Sequence, residues 1–367
     1  MARLEVERIC KGWEFPVIDE LSFTVEEGEF FVIVGASGIG KTTLLRLISG
    51  LETPDAGRVV VGGRDLTGIP PYRRSIAMTF ESYALYPHLT VYENMASPLR
   101  ARRLPVRERD RRILATAKLL RIDHLLERRP GEISGGQKQR TALGRTLVAD
   151  PEVFLLDEPI SHLDAKIRHE LRTQFHTLED LRKVATVYVT HDYAEALSLG
   201  DRIGVMGAGG KLVQIGAPRD LFERPQTLAV AEHLGQPTIN VIPARIIDDD
   251  GPCLQSEEGT LRLPVTDFAR PLLEKLQGRQ VILGLRPQYL RPGHDDTRGL
   301  TLRADIDIYE PLGTLGIMLV RCEGVRMTAV TDPEMTYHSG ETVTLTLDLD
   351  QLFYFDAVTE KNLAVGD

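Results

Sequence analysis

The stretch Gly35-Ala36-Ser37-Gly38-Ile39-Gly40-Lys41-Thr42 constrains this chain more than any other. It follows an apolar run, Phe30–Val34, that reads as a buried strand, and it precedes Thr43–Ile48, which opens like a helix. Glycines at these spacings let the backbone curl until successive N–H groups point inward as an anion nest. The helix start adds its partial positive charge. Lys41 then stands where an ammonium reaches the β- and γ-phosphates of a nucleotide, and the Thr42 hydroxyl where it ligates Mg²⁺. The expectation is a strand, a phosphate loop and a helix within an α/β fold.

Other carboxylates and polar turns follow the same strand-end logic. Val153–Leu156 is fully apolar and delivers Asp157 and Glu158 at its C-terminal end, the edge where open α/β sheets bind ligands. Asp157 can hold hydrated Mg²⁺, and Glu158 can accept a proton from an attacking water. Val184–Val189 is another strand and ends in Thr190-His191-Asp192, so His191 lies where a ring nitrogen can bond a phosphate oxygen. Ile133-Ser134-Gly135-Gly136-Gln137 opens a helix and forms a second potential anion site. In Ser161-His162-Leu163-Asp164, the aspartate also suits a simple helix cap. Trp13, the only tryptophan, sits in a turn flanked by Gly12 and Pro16. There it can stack on a nucleotide base or plug the gap between strand and loop. Tyr83–Thr90 is aromatic and proline-containing, and reads as a surface loop built for contact or packed beneath itself.

At 367 residues the chain exceeds one ordinary core. Leu4–Ile9, Val17–Val25, Arg58–Val61 and Ser75–Phe80 read as further strands. From Pro98 to about Arg129 the texture turns to Arg, Leu and Glu at helical spacing, a helical insertion whose arginines are balanced by Glu108, Asp110, Asp123 and Glu127. Beyond Val241, short alternating segments recur between Gly, Pro and Asp, among them Val281–Leu285, Gly316–Arg321 and Val343–Leu349. They predict a small β-barrel or a pair of them, with 220–235 as connector. A net charge of −9 disfavours nucleic acid as the main partner. Cys10, Cys253 and Cys322 are scattered, so neither a disulfide framework nor a structural metal is expected. The first residues lack a signal-peptide core, and no apolar run reaches the ~20 residues of a membrane helix.

Taken together, the phosphate loop, the Ile133–Gln137 signature, the Val153–Glu158 strand end, the Ser161–Asp164 loop and His191 resemble the ATP-binding subunit of ABC transporters. Within that family, Ser82–Met95, Ile215-Gly216-Ala217-Pro218, Gly284-Leu285-Arg286-Pro287 and Phe353–Ala357 are most similar to the maltose-type sugar-importer ATPases. The resemblance implies an α/β P-loop NTPase domain over 1–235, with a helical subdomain at about 98–148, and an all-β, OB-like regulatory domain over 236–367. It implies an ATPase that energises import of a carbohydrate, polyol or glycerol-phosphate-like solute. Adenine would stack on Trp13. Gly35, Ser37, Gly38, Gly40, Lys41, Thr42 and Thr43 would line the phosphates, with Thr42, Glu81 and Asp157 serving Mg²⁺. Glu158 would polarise water and His191 steady the γ-phosphate. Ser134, Gly136 and Gln137 would close over ATP held by the opposite subunit, and Asp164 would also belong to the nucleotide-binding residues. Implied partners are a second ATPase subunit, two transmembrane permease subunits and, indirectly, an extracytoplasmic solute-binding protein. The protein would lie peripherally on the cytoplasmic face of the plasma membrane.

Three positions depart from the family pattern. Glu81 stands where Gln is usual, His162 replaces Asn, and the turn after Trp13 is one residue short. One reading is a heterodimer with a second, different cassette; a homodimer is the other. Competing functions are import of another small solute and a soluble ABC-class ATPase acting on ribosomes or nucleic acid. A P-loop kinase would leave Ser134–Gln137 without a job.

Overall fold

The computed structural model describes residues 2–161, 163–177, 181, 183–248, 251–274, 276, 280–293 and 300–365. His162 and the side chain of His176 lie outside the described residues. The chain divides into two compact units, Met1–Arg219 and Asp220–Asp367.

The first unit opens with β1 (Leu4–Gly12), β2 (Pro16–Val25), β3 (Phe30–Val34) and α1 (Lys41–Ser49). Then come β4 (Ala56–Val61), β5 (Arg64–Asp65), β6 (Ile76–Thr79), α2 (Val91–Ala101), α3 (Val106–Leu119) and α4 (Gly135–Leu147). It ends with β7 (Val153–Asp157), α5 (Ala165–Thr177), β8 (Ala185–Thr190), α6 (Tyr193–Leu199), β9 (Arg202–Gly207) and β10 (Lys211–Gly216). One sheet has the order β2-β1-β4-β5, and a six-stranded sheet runs β10-β9-β3-β8-β7-β6. In the second, β9, β3, β8, β7 and β6 are parallel and β10 is an antiparallel edge. Every residue of β3, β7 and β8 is buried, which explains why their sequences are apolar runs and do not alternate. Their C-terminal ends deliver the phosphate loop, Asp157 and Thr190 to one edge.

The helical insertion begins earlier than the change in composition at Pro98. Thr90 and Glu93 form a reciprocal capping box that starts α2 at Val91, and Pro98 lies inside that helix. Asn94 is fully buried on α2 and organises the preceding aromatic loop. Its carbonyl oxygen accepts from Tyr86 N–H at 2.8 Å, and its amide donates to the carbonyls of Tyr86, Leu89 and Thr90.

A second buried polar residue secures α1. Gly50 ends that helix at φ 81°. A β-carbon there would meet the Arg74 guanidinium at 2.5 Å, so the turn needs glycine twice over. Arg74 donates to the carbonyls of Leu47, Ile48, Ile69 and Thr67. A cation at a helix C-terminus also opposes the negative end of the dipole.

In the second unit, β11 (Asn240–Asp248), β12 (Pro252–Ser256), β13 (Arg262–Pro264), β14 (Gln280–Leu285) and β20 (Phe353–Asp356) form a sheet in the order β13-β12-β11-β14-β20. The other sheet runs β15-β19-β16-β17-β18, from β15 (Leu290–Pro292), β16 (Leu300–Pro311), β17 (Gly316–Cys322), β18 (Val325–Thr331) and β19 (Thr342–Leu347). Ile242, Leu283, Ile306, Val320, Leu345 and Tyr354 belong to their shared core. This is the all-β, OB-like arrangement expected of the tail. The connector 220–235 packs with this unit: Arg286 donates to the carbonyls of Phe222 and Leu234 and lies 3.6 Å over the Phe222 ring. No helix among the described residues is long and apolar enough to cross a membrane.

Arg74→Met removes the donors to two carbonyls at the end of α1, Leu47 and Ile48, and to two in the following loop, Thr67 and Ile69. It is expected to lower unfolding stability by about 2–4 kcal/mol, with Lys rescuing little because one ammonium cannot span all four. Chemical denaturation checks this; a variant within about 0.5 kcal/mol of the parent contradicts it.

Candidate nucleotide site

The phosphate loop takes the conformation its glycines allow. Gly38 and Gly40 lie at φ 79° and 113°, and Gly40 caps α1 with no side-chain hydrogen bond. The first N–H groups of α1 are therefore left for an external acceptor. Lys41 is 6% exposed, and its ammonium donates to the carbonyls of Gly35 and Ala36 at 2.8 and 2.9 Å. Burial lowers its pKa, while the charges of Glu158, Asp157 and Glu81 oppose that shift. Ser37 is exposed on the loop, and Thr42 and Thr43 are half-buried in the first turn.

Asp157 faces Thr42, whose hydroxyl donates to its Oδ1 at 3.2 Å. The Thr79 hydroxyl on β6 receives the Asp157 backbone N–H. The other carboxylate oxygen, Oδ2, is buried with no partner among the described residues. Burial is the main cause that pushes the Asp157 pKa up to about 6, with Glu81 and Glu158 adding to it. A buried carboxylate oxygen beside a threonine hydroxyl is a donor set that fits Mg²⁺, which takes one or two protein oxygens and completes its shell with water and phosphate.

Glu158 follows at φ 44°, a left-handed backbone for a non-glycine residue. Its carboxylate contacts His191 Nδ1 at 2.9 Å. Parallel pairing of β7 with β8 produces this contact, because Asp157 is in register with Val189. Glu81 is exposed just past β6, the strand next to β7. Lys41, Thr42, Glu81, Asp157, Glu158 and His191 thus gather at one sheet edge from four separate segments.

The remaining predicted residues stand elsewhere on the unit. Ser134 and Gln137 cap α4 reciprocally, and among the described residues no hydrogen bond or ion pair joins them to the phosphate loop. Gly136 packs near Leu163. Asp164 caps α5 through Ile167 N–H at 3.0 Å. Trp13 is 61% exposed, with the Lys11 ammonium 5.4 Å from its ring centroid. It forms an open face, not a plug.

Sequence reasoning missed three polar residues around this site. Thr79 receives the Asp157 N–H, and the Gln139 amide donates to the Glu158 carbonyl at 3.0 Å. Arg145 donates to the carbonyls of Tyr83 and Ala84 and lies over the Tyr86 ring. An open cleft of about 670 Å³ beside it is lined by residues including Tyr72, Phe80, Tyr86, Pro98 and Arg145.

Comparison with known proteins decides the family. A family model described as ABC transporter matches residues 18–161; models of the MalK OB fold domain and the TOBE domain match 235–290 and 283–355. The chain is 40% identical over 365 residues to the trehalose/maltose import ATP-binding protein MalK of Thermococcus litoralis, covering 95% of each chain. The chain belongs to the ABC transporter ATP-binding family. Another member of this family, the sn-glycerol-3-phosphate import ATP-binding protein UgpC of Burkholderia thailandensis, is 41% identical over 365 residues, or 98% of this chain and 99% of UgpC. Among solved structures, the dimeric bacterial ABC transporter cassette MJ0796 aligns with a TM-score of 0.55 at 27% identity, covering 59% of this chain and 99% of the cassette. A dimeric post-hydrolysis state of the same cassette, bound to ADP and Pi, aligns with a TM-score of 0.54 at 26% identity, covering 59% and 99%.

The raised Asp157 pKa means that the folded chain binds this proton more readily than the unfolded one. Its contribution to stability therefore falls as pH rises from the ordinary carboxylate value, 3.8, to about 6. Asp157→Asn keeps the shape without the charge. It is expected to stabilise the nucleotide-free protein at pH 8 by up to about 3 kcal/mol while flattening that part of the pH profile. Denaturant titrations at pH 5 and pH 8 measure both effects, and an Asn variant no more stable than the parent at pH 8 contradicts the assignment.

Proposed function

We propose that this chain is the ATP-hydrolysing subunit of an ABC importer whose cargo is a carbohydrate, polyol or glycerol-phosphate-like solute. The similarity to trehalose/maltose and sn-glycerol-3-phosphate import ATP-binding proteins supports the cargo class. The observation that carries the catalytic reading is the clustering of Lys41, the Thr42–Asp157 pair and the Glu158–His191 pair at one sheet edge.

In this reading the loop N–H groups and Lys41 bind the ATP phosphates, exchanging the loop carbonyls for phosphate oxygens at the ammonium. Thr42 and Asp157, with Glu81 nearby, hold Mg²⁺, which supplies positive charge against the phosphate oxygens. Glu158 takes the proton of a water attacking the γ-phosphorus, as the bond from that phosphorus to the bridging oxygen breaks and ADP leaves. His191 orients the Glu158 carboxylate and donates toward the γ-phosphate. Trp13 offers its open face to adenine.

The Ser134–Gln137 turn then has a job on a second cassette. Its exposed helix start meets ATP held by the opposite protomer, so nucleotide bridges two subunits and hydrolysis lets them part. Ser134, Gly136, Gln137 and Asp164 serve that closure. Glu81 in place of Gln adds negative charge beside the nucleotide. The cleft under Tyr83–Thr90 takes a helix from a permease subunit, two of which hold the protein at the cytoplasmic face of the plasma membrane. The second unit regulates the first.

Glu158→Gln is expected to lower ATP turnover by about 10²–10⁴ while leaving nucleotide binding intact, and to accumulate an ATP-bound dimer with its natural cassette mate. Turnover at the parent rate removes Glu158 from the mechanism. Tyr86→Asp is expected to abolish solute uptake in the assembled transporter with ATP affinity unchanged; normal uptake at normal expression contradicts the docking role.

A further inference from the structure

Gln139 is 4% exposed on α4, yet its side chain is spent in an unusual way. The amide nitrogen donates to the backbone carbonyl of Glu158 at 3.0 Å, while its own Oε1 is buried with no partner among the described residues. A glutamine kept only for packing would satisfy both ends or be replaced by an apolar side chain of similar shape, because half-satisfied buried amides are costly.

The atom it reaches belongs to the most constrained residue of the site. Glu158 has a left-handed backbone, φ 44°. Such a conformation persists only where the surroundings over-determine it. Its N–H donates to Val189 O at 3.1 Å, and its carbonyl also accepts from the Ser161 hydroxyl at 3.0 Å. Gln139 is the grip on this peptide that comes from α4. The same helix carries the Ser134 turn at its start and, six residues or about 9 Å beyond Gln139, Arg145, which holds the aromatic loop at Tyr83 and Ala84.

We infer that Gln139 is a positioning residue for hydrolysis: its amide sets the peptide of Glu158 so that the carboxylate meets His191 and the attacking water, and displacements of α4 reach the base through this bond. The inference rests on Glu158 being the general base proposed above. It makes α4 the mechanical link between the docking loop and the catalytic carboxylate.

The test uses the full chain with MgATP and two variants, Gln139→Met and Gln139→Glu, the second preserving size while removing the donor. Each is expected to lose about tenfold or more in kcat with KM within about twofold, since small misplacements of a catalytic group carry large rate costs. In a Glu158→Gln background, Gln139→Met causes no further loss, because the group it positions is already gone. Several results overturn the inference: kcat within twofold of the parent, a rise in KM at constant kcat, or the same fold-loss in the Glu158→Gln background. If Gln139→Met melts early, Gln139→Glu and its split between kcat and KM decide. Lost turnover in Glu158→Gln beside normal turnover in both Gln139 variants refutes Gln139 alone. Normal turnover in Glu158→Gln refutes the base and this inference with it.

Discussion

The first unit is organised around a charge imbalance at the C-terminal edge of its central sheet. The strands β3, β7 and β8 are dry along their whole length, so any polar group they carry must emerge at an end. At that end Asp157 has one carboxylate oxygen without a partner, Lys41 leans on the carbonyls of its own loop, and α1 starts with uncapped N–H groups. Each deficit is one that a phosphate or a cation removes. A charged nucleotide with its cation matches all three groups, so the atoms that would bind it are those least well satisfied by the protein itself.

Polar side chains that reach across the unit keep this arrangement rigid. Arg74 closes the far end of α1, Asn94 secures the aromatic loop to α2, and Arg145 fastens that loop to α4. In every case a buried or half-buried donor meets backbone carbonyls of another segment, close in sequence for Asn94 and distant for Arg74 and Arg145. Such bonds fix loops that apolar packing alone would leave variable, because carbonyl geometry tolerates little displacement. The second unit uses the same device: Arg286 and Asn362 hold the connector to its β-sheets through the carbonyls of Phe222, Leu234 and Pro225.

Much of the site was legible because its chemistry is written in short runs. A glycine-rich loop between an apolar strand and a helix, and an apolar strand ending in two carboxylates, carry local signals. Strand-end logic brought Glu158 and His191 to the ends of two strands, but their contact with each other emerged only from the parallel pairing of those strands. The start of α2 was less visible, since the change in composition at Pro98 masked the capping box at Thr90 and Glu93. Thr79, Gln139 and Arg145 carried no readable signal: their partners lie 78, 19 and 61 residues away.

What the sequence by itself determined is the inventory: a phosphate loop, two acidic groups at a strand end, an exposed turn opening a helix, and an alternating β tail. Period and composition suffice for these, because backbone conformation and burial are local responses to glycine, proline and apolar spacing. Only the tertiary structure decided which groups are short of partners and which are held. Desolvation of Asp157, the left-handed peptide of Glu158 and the Gln139 bond depend on atoms brought together by packing, and electrostatic energies follow those distances, not the order of residues along the chain.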